Sequence, residues 1–168
     1  MGRFLTICSG AGENLLPVPH PQAILVSVAN CAESPGQLKR ILKLITICQA
    51  EKVFLDNGMF SFFKKWKDDE LVIFDSNRPV YPKGISMNLT AEHNIHYAKI
   101  VKPDVFICPD LPVRGLHNPN DPGEQEFYFM LCTYHNLIRA QETVRLRDQH
   151  GLKSKLYFAF QGYNLNHL

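Results

Sequence analysis

Four short apolar runs, separated by stretches of helical periodicity, set the limits on what this chain can become. Ala23-Ile24-Leu25-Val26-Ser27-Val28-Ala29, Lys52-Val53-Phe54-Leu55 and Asp104-Val105-Phe106-Ile107-Cys108 have the β-branched, nearly continuous apolar character of strands buried on both faces. Lys155-Leu156-Tyr157-Phe158-Ala159-Phe160 reads as a last strand of the same kind. Between the first two, Ser34-Pro35 offers an N-cap and a Pro at the first helical position, and Leu38, Ile41, Leu42, Ile45 and Cys48 follow at helical spacing. Thr90 caps a second predicted helix carrying Ile95, Ala98, Lys99 and Val101, which Pro103 closes. A long helix is predicted from about Gly123 to His150, with Gly151 as its C-cap.

Strands alternating with helices predict an α/β fold of parallel β/α units joined by right-handed crossovers. Two architectures fit: an open doubly wound sheet, or a partial TIM-type (β/α) barrel. A complete eight-unit barrel needs about 200 residues or more, and the chain has 168. The expectation is therefore a single incomplete β/α-barrel domain over residues 1–168, a fragment or a half-barrel. An exposed half-barrel leaves sheet edges and an apolar face uncovered, which favours a homo-oligomer or a second chain completing the barrel. Met59 to Trp66 reads as a short aromatic helix, Val72-Ile73-Phe74 as a candidate strand, and the Pro79 and Pro82 region as a loop or lid. Pro109 to Pro122 reads as a loop long enough to be functional.

Composition narrows the function classes. Hydrophobic residues make up 45% and charged residues 20%, the balance of a soluble globular domain. A formal charge of +2 does not by itself call for nucleic acid. Cys8, Cys31, Cys48, Cys108 and Cys132 are odd in number and lack C-x-x-C spacing. They read as small buried hydrophobes in a reducing cytoplasm rather than a disulfide framework or a zinc knuckle. No leader-like or membrane-spanning apolar stretch is evident, so the expected location is cytoplasmic with no membrane partner, and the Asn88-Leu89-Thr90 sequon reads as accidental. Neither a phosphate-binding P-loop nor a G-x-S-x-G elbow is present, and Gly10-Ala11-Gly12 lacks the rest of a dinucleotide fingerprint.

Three of the four strands end in polar residues: Asp56-Asn57-Gly58, Pro109-Asp110 and Gln161-Gly162. Parallel sheets build ligand sites at the carboxyl ends of their strands. Each group alone is an ordinary strand-end cap; the three in one orientation point to a shared site. A carboxylate accepts two N–H donors from the edge of an aminopyrimidinone ring, and a side-chain amide both donates and accepts. Met59, Phe60 and Tyr163 sit beside these positions and could sandwich a flat ring, although such side chains are more often core.

Phe54-Leu55-Asp56-Asn57-Gly58-Met59-Phe60-Ser61 resembles the D-S-G-G-[FY]-Q turn of the tRNA-guanine transglycosylases. It is closer still to the D-S-G-x-F-S form of relatives that insert 7-deazaguanine bases into DNA. Pro103 to Asp110 is similar to that family's strand ending in a base-recognising Asp, and Phe158-Ala159-Phe160-Gln161-Gly162 resembles its strand ending in V-Q-G. The three segments occur in the family's order, over roughly residues 50 to 164. The resemblance implies a β/α barrel that exchanges a guanine or 7-deazaguanine base at an N-glycosidic bond of tRNA or DNA. It implies that Asp56 handles protons near the anomeric carbon. Asp110, Gln161, Gly162, Asn57, Gly58 and Phe60 would bind the base. The departures are Asn57 for Ser, Met59 for the second Gly and Ser61 for Gln. The family's nucleophilic Asp, and the structural Cys/His zinc site of many full-length members, belong to strands later than these 168 residues. No cofactor or metal is therefore expected in this chain, and whether it is an enzyme is left open.

Weaker signals have bland explanations. His93 and His96, with Glu92, could hold a metal but show no fourth ligand, and a solvated polar face explains them better. Lys64, Lys65 and Lys67 fit either nucleic-acid phosphates or a mixed-charge surface helix. Arg139, Arg145 and Arg147 complement the dipole at the end of the long helix. Two rivals to base exchange stay open: a non-catalytic half-barrel for binding or assembly, and an unrelated α/β sheet binding another small ligand.

Overall fold

The computed structural model describes residues 7–9, 21–58, 73–75, 78–80, 90–110 and 122–159. In chain order the strands are β1 (Ile7–Ser9), β2 (Ala23–Ser27), β3 (Lys52–Asp56), β4 (Ile73–Asp75), β5 (Arg78–Val80), β6 (Val105–Ile107) and β7 (Lys155–Tyr157). The helices are α1 (Val28–Glu33), α2 (Pro35–Cys48), α3 (Ala91–Val101) and α4 (Pro122–Gln149). Five strands form one parallel sheet in the order β1-β2-β3-β6-β7, while β4 and β5 make a separate antiparallel ribbon. The molecule is mixed α/β, as the alternating pattern predicts.

The strand order decides between the two architectures in part. A doubly wound sheet reverses its direction of growth at a switch point. Here each new strand of the main sheet is added on the same side as the last, so the described strands contain no reversal. With crossovers of the usual right hand, growth in one direction puts the connecting helices on one face.

Register and burial agree with that. Parallel partners share a face, so Ile24 lies with Val53, and Val26, Leu55, Phe106 and Leu156 form a second row. All six belong to or pack against the main core, with Cys31 and Val28 of α1, Ile41 and Cys48 of α2, Ile95 and Ala98 of α3, and Leu146 of α4. The opposite face carries Leu25, Phe54, Val105, Ile107 and Tyr157; Val105 is buried, Leu25, Phe54 and Ile107 are half-buried and Tyr157 is 52% exposed. Phe54 and Tyr157 meet edge to face there, with ring centroids 6.4 Å apart.

Local chemistry explains the element ends. Ser34 Oγ accepts from the Gln37 N–H (3.1 Å) and Thr90 Oγ1 from the His93 N–H (3.2 Å), as the capping residues predict. The helix α3 ends at Lys102 in the left-handed region, and α4 gives way to Gly151 at φ +64°. At the amino ends of β3, β6 and β7 a polar clamp sets the register. Asp104 Oδ2 accepts from the Val53 N–H (2.8 Å), and the Asp104 N–H donates to Val53 O (2.9 Å). Ser154 Oγ donates to Pro103 O (2.6 Å).

Several expectations need correction. The first apolar run is not strand to Ala29: it ends at Ser27, whose hydroxyl accepts from the Ala29 N–H and caps α1, a short helix before the predicted one. An apolar, β-branched residue such as Val28 fits a strand or a buried helix start, and the Ser27 cap decides for the helix. Ile7–Ser9 is a further strand, too short for its apolar pattern to mark it in the sequence. Pro79 lies inside β5 rather than in a loop. A two-stranded ribbon tolerates it because each strand has an unpaired edge. The last strand stops at Tyr157, three residues short of the predicted end. The aromatic helix predicted over Met59 to Trp66 lies outside the described residues.

Cys31, Cys48, Cys108 and Cys132 are all buried, as small hydrophobes would be. Among the described residues no helix is long and apolar enough to cross a membrane. Phe106 is fully buried at the centre of the helix-covered face. Its truncation leaves a cavity that the strands on both sides cannot collapse into. Phe106→Ala is expected to cost about 3–5 kcal/mol, measured as a lowered midpoint in urea unfolding.

Candidate functional site at the carboxyl rim of the sheet

Every strand of the main sheet points the same way, so the carboxyl ends of β2, β3, β6 and β7 meet at one rim. Ser27 is in register with Asp56. Continuing the β3–β6 register, in which Phe54 faces Val105, brings Asp56 level with Ile107 and Asn57 level with Cys108. Asp110 therefore stands just beyond the rim, on the strand neighbouring Asp56.

The turn after β3 is built by its own polar groups. Asp56 Oδ2 accepts from the Gly58 N–H at 3.0 Å, closing an Asx turn. Gly58 has φ +80° and packs against the junction of β2 and α1. A Cβ there would fall on Ser27 Oγ and Ala29 Cβ, and lie 2.8 Å from Ala29 N. No other residue fits, so the turn is pressed against the neighbouring strand's exit.

Asn57 is the joint between the two strand ends. It is only 3% exposed. Its Nδ2 donates to Cys108 O at 2.9 Å and to Asp110 Oδ1 at 2.6 Å. An amide nitrogen has two hydrogens, and both are used here. Asn57 thus orients the Asp110 carboxylate, a positioning role that spacing alone did not reveal. The signal was present in a weak form: a buried-strand turn carrying an amide where two strand ends converge.

Electrostatics separate the groups at the rim. Burial raises the pKa of Asp56, and the backbone N–H groups of Gly58 and Asn57 pull it part of the way back. A carboxyl held above its usual range at a strand end is suited to taking up and releasing a proton. Burial likewise pushes the Cys108 thiol up to about 12 and the Cys31 thiol to about 11, so both are inert packing groups.

Of the residues the sequence singled out, Asp56, Asn57, Gly58 and Asp110 come together in one bonded unit. Phe60, Gln161 and Gly162 lie outside the described residues, as do Met59, Tyr163 and the lysines after Phe60. His93 and His96 lie on α3, each edge-on to the ring of Tyr97 at 5.0 and 5.1 Å. Among the described residues no three His, Cys, Asp or Glu side chains are grouped to hold a metal ion. Asp110 also lines a cavity of about 380 Å³ between α4 and the ends of β6 and β7, whereas Asp56 does not.

Compared with known protein families, curated protein sequences and solved structures, the chain matches none.

Two expectations test this geometry. Gly58→Ala should destabilise the fold by at least about 2 kcal/mol, through backbone strain and overlap with Ser27 and Ala29, read by thermal unfolding. Asp56→Asn should be more stable than the parent at neutral pH. The native carboxyl binds its proton more tightly than the unfolded one, so the parent loses stability as pH rises from the ordinary carboxylate range through the raised Asp56 value. The asparagine variant keeps the turn bond without that loss. The stability difference, measured by urea unfolding, should widen as pH increases from about 4 to 7.

Proposed function

We propose that this chain is the base-recognising part of a transglycosylase-like (β/α) barrel. In this reading the flat edge of a guanine or 7-deazaguanine base lies at the carboxyl rim, and the base is exchanged at an N-glycosidic bond of tRNA or DNA. The observation that carries it is the Asn57 bridge, which ties the Asp56 turn to Asp110 across neighbouring parallel strands. Strand growth in a single direction supports a barrel segment rather than a doubly wound sheet.

The roles follow from chemistry. Asp110, its carboxylate oriented by Asn57, accepts N–H groups from the base edge, and Gln161 and the Gly162 backbone complete that edge. Asp56, with its pKa raised by burial, takes and returns the proton that accompanies departure of the base. As a carboxylate it also stabilises the positive charge of an oxocarbenium-like transition state. Covalent attack at the anomeric carbon requires a second carboxylate, which the three resembling segments do not include. Guanine binding is therefore the minimum function of this chain, and exchange the fuller one.

A second reading, a non-catalytic half-barrel for binding or assembly, is favoured by one specific feature. Met130, Tyr134, Leu137 and Ile138 make an apolar stripe on α4 that is 40–61% exposed. A homo-oligomer or a second chain completing the barrel would cover such a surface.

The test is calorimetric titration with guanine and 7-deazaguanine, followed by exchange of labelled guanine into tRNA and DNA. Base binding should weaken at least about tenfold on Asp110→Asn, which removes a charge-assisted acceptor. Exchange should disappear on Asp56→Ala. Absence of any guanine affinity, together with concentration-dependent self-association, would reject base exchange in favour of assembly.

A further inference from the structure

The carboxyl ends of β6 and β7 and the neighbouring face of α4 bound a cavity of about 380 Å³. Small-molecule sites span about 300–1,000 Å³, so the space is large enough for a single ring system. Thr133, Leu137, Ala140 and Val144 line it at helical spacing, and one face of α4 therefore forms a wall. Pro109, after β6, and Phe158, after β7, line it from the sheet. Open parallel sheets hold their ligands at this end of their strands.

Most of the lining is hydrocarbon. Leu137 and Phe158 both face the cavity, yet they remain 57% and 43% exposed. Water against such groups is released when an apolar ligand takes its place. An aromatic ligand fits better than a flexible one, because a flat ring stacks on Phe158 and loses little freedom on binding. The polar side chains that α4 adds at exposed positions, Thr133 and Gln141, are neutral, and each can both donate and accept a hydrogen bond.

Charge favours neither sign of ligand. Among the described lining residues there is no Lys, Arg or His, so an anion meets no cation in the wall. Asp110 already accepts from the Asn57 amide at 2.6 Å. Burial keeps the adjoining Cys108 thiol protonated, pushed up to about 12, while the charges of Arg147 and Asp110 act on it in opposite senses. A charged group entering this cleft would give up hydration without a dedicated partner.

We infer that this cavity binds a small neutral aromatic molecule, its ring between α4 and Phe158 and its polar atom hydrogen-bonded to Thr133 or Gln141. Such recognition does not draw on the Asp110 carboxylate, so it does not depend on guanine binding at the rim.

Indole is the probe, titrated into the full chain by calorimetry beside indole-3-acetate and tryptamine, which carry the same ring with a negative and a positive charge. Saturable indole binding is expected, with indole-3-acetate at least about tenfold weaker and tryptamine no tighter than indole. Ala140→Trp should fill the cavity and abolish indole binding. Leu137→Gln, at an exposed position that folding does not rely on, should weaken indole at least about threefold by removing apolar contact. Circular dichroism identifies a variant that does not fold, and Leu137→Gln serves if Ala140→Trp fails. The inference is overturned if indole does not bind saturably, or if either charged analogue binds more tightly than indole. It is also overturned if the folded variants bind indole as the parent does.

Discussion

Parallel pairing of β3 with β6 is the constraint on which the remaining structure depends. A parallel neighbour cannot be reached by a tight turn, so the chain must leave the sheet and return by a crossover of a dozen or more residues. That excursion runs from Gly58 to Asp104, and it contains the β4–β5 ribbon and α3. Because each return starts at the same end, every strand of the main sheet delivers its last residues to one rim. Asp56 and Asp110 are neighbours for this reason, although 54 positions separate them.

The two ends of that pairing are secured differently. At the amino end Asp104 is both donor and acceptor to Val53, so the register cannot slip without losing two bonds. At the carboxyl end Asn57 donates to both Cys108 O and Asp110 Oδ1. Buried amides left without partners cost about 1–3 kcal/mol each. The same bonds that pin the strands therefore also pin the carboxylate, and stability and site geometry cannot be separated at Asn57. Gly58 adds a third restraint, since its contact with Ser27 and Ala29 couples the turn to β2 and α1.

The two faces of the sheet have unequal shares of the core. Helices α1 to α4 all contribute to the cluster around Leu55 and Phe106, and the residues of this cluster are buried. The opposite face carries Leu25, Phe54 and Tyr157 under lighter cover, beside the Asp56 carboxyl. Asp56 thus titrates in a half-buried setting where burial outweighs the backbone bonds that favour its charged form. Asp110 stands at the boundary between that rim and the apolar cavity under α4.

Much of the fold was legible in the residues because its signals are local. Apolar runs, the Ser34-Pro35 and Thr90 caps and Gly151 each act within a few residues, and β3, α2, α3, β6 and α4 fall where they indicate. Local chemistry was ambiguous where two structures suit the same residues, and so Val28-Ala29 read as strand although the Ser27 cap makes them helix. Candidate site residues could be read from strand-end polarity alone for Asp56 and Asp110. The sequence by itself determined the parallel α/β class and the carboxylates that end its strands, because periodicity and turn chemistry are written in neighbouring positions. Only the tertiary structure decided the one-directional strand order, the Asn57 bridge and the cavity under α4. Those depend on which surfaces meet across more than 50 residues of chain, and no local preference encodes that.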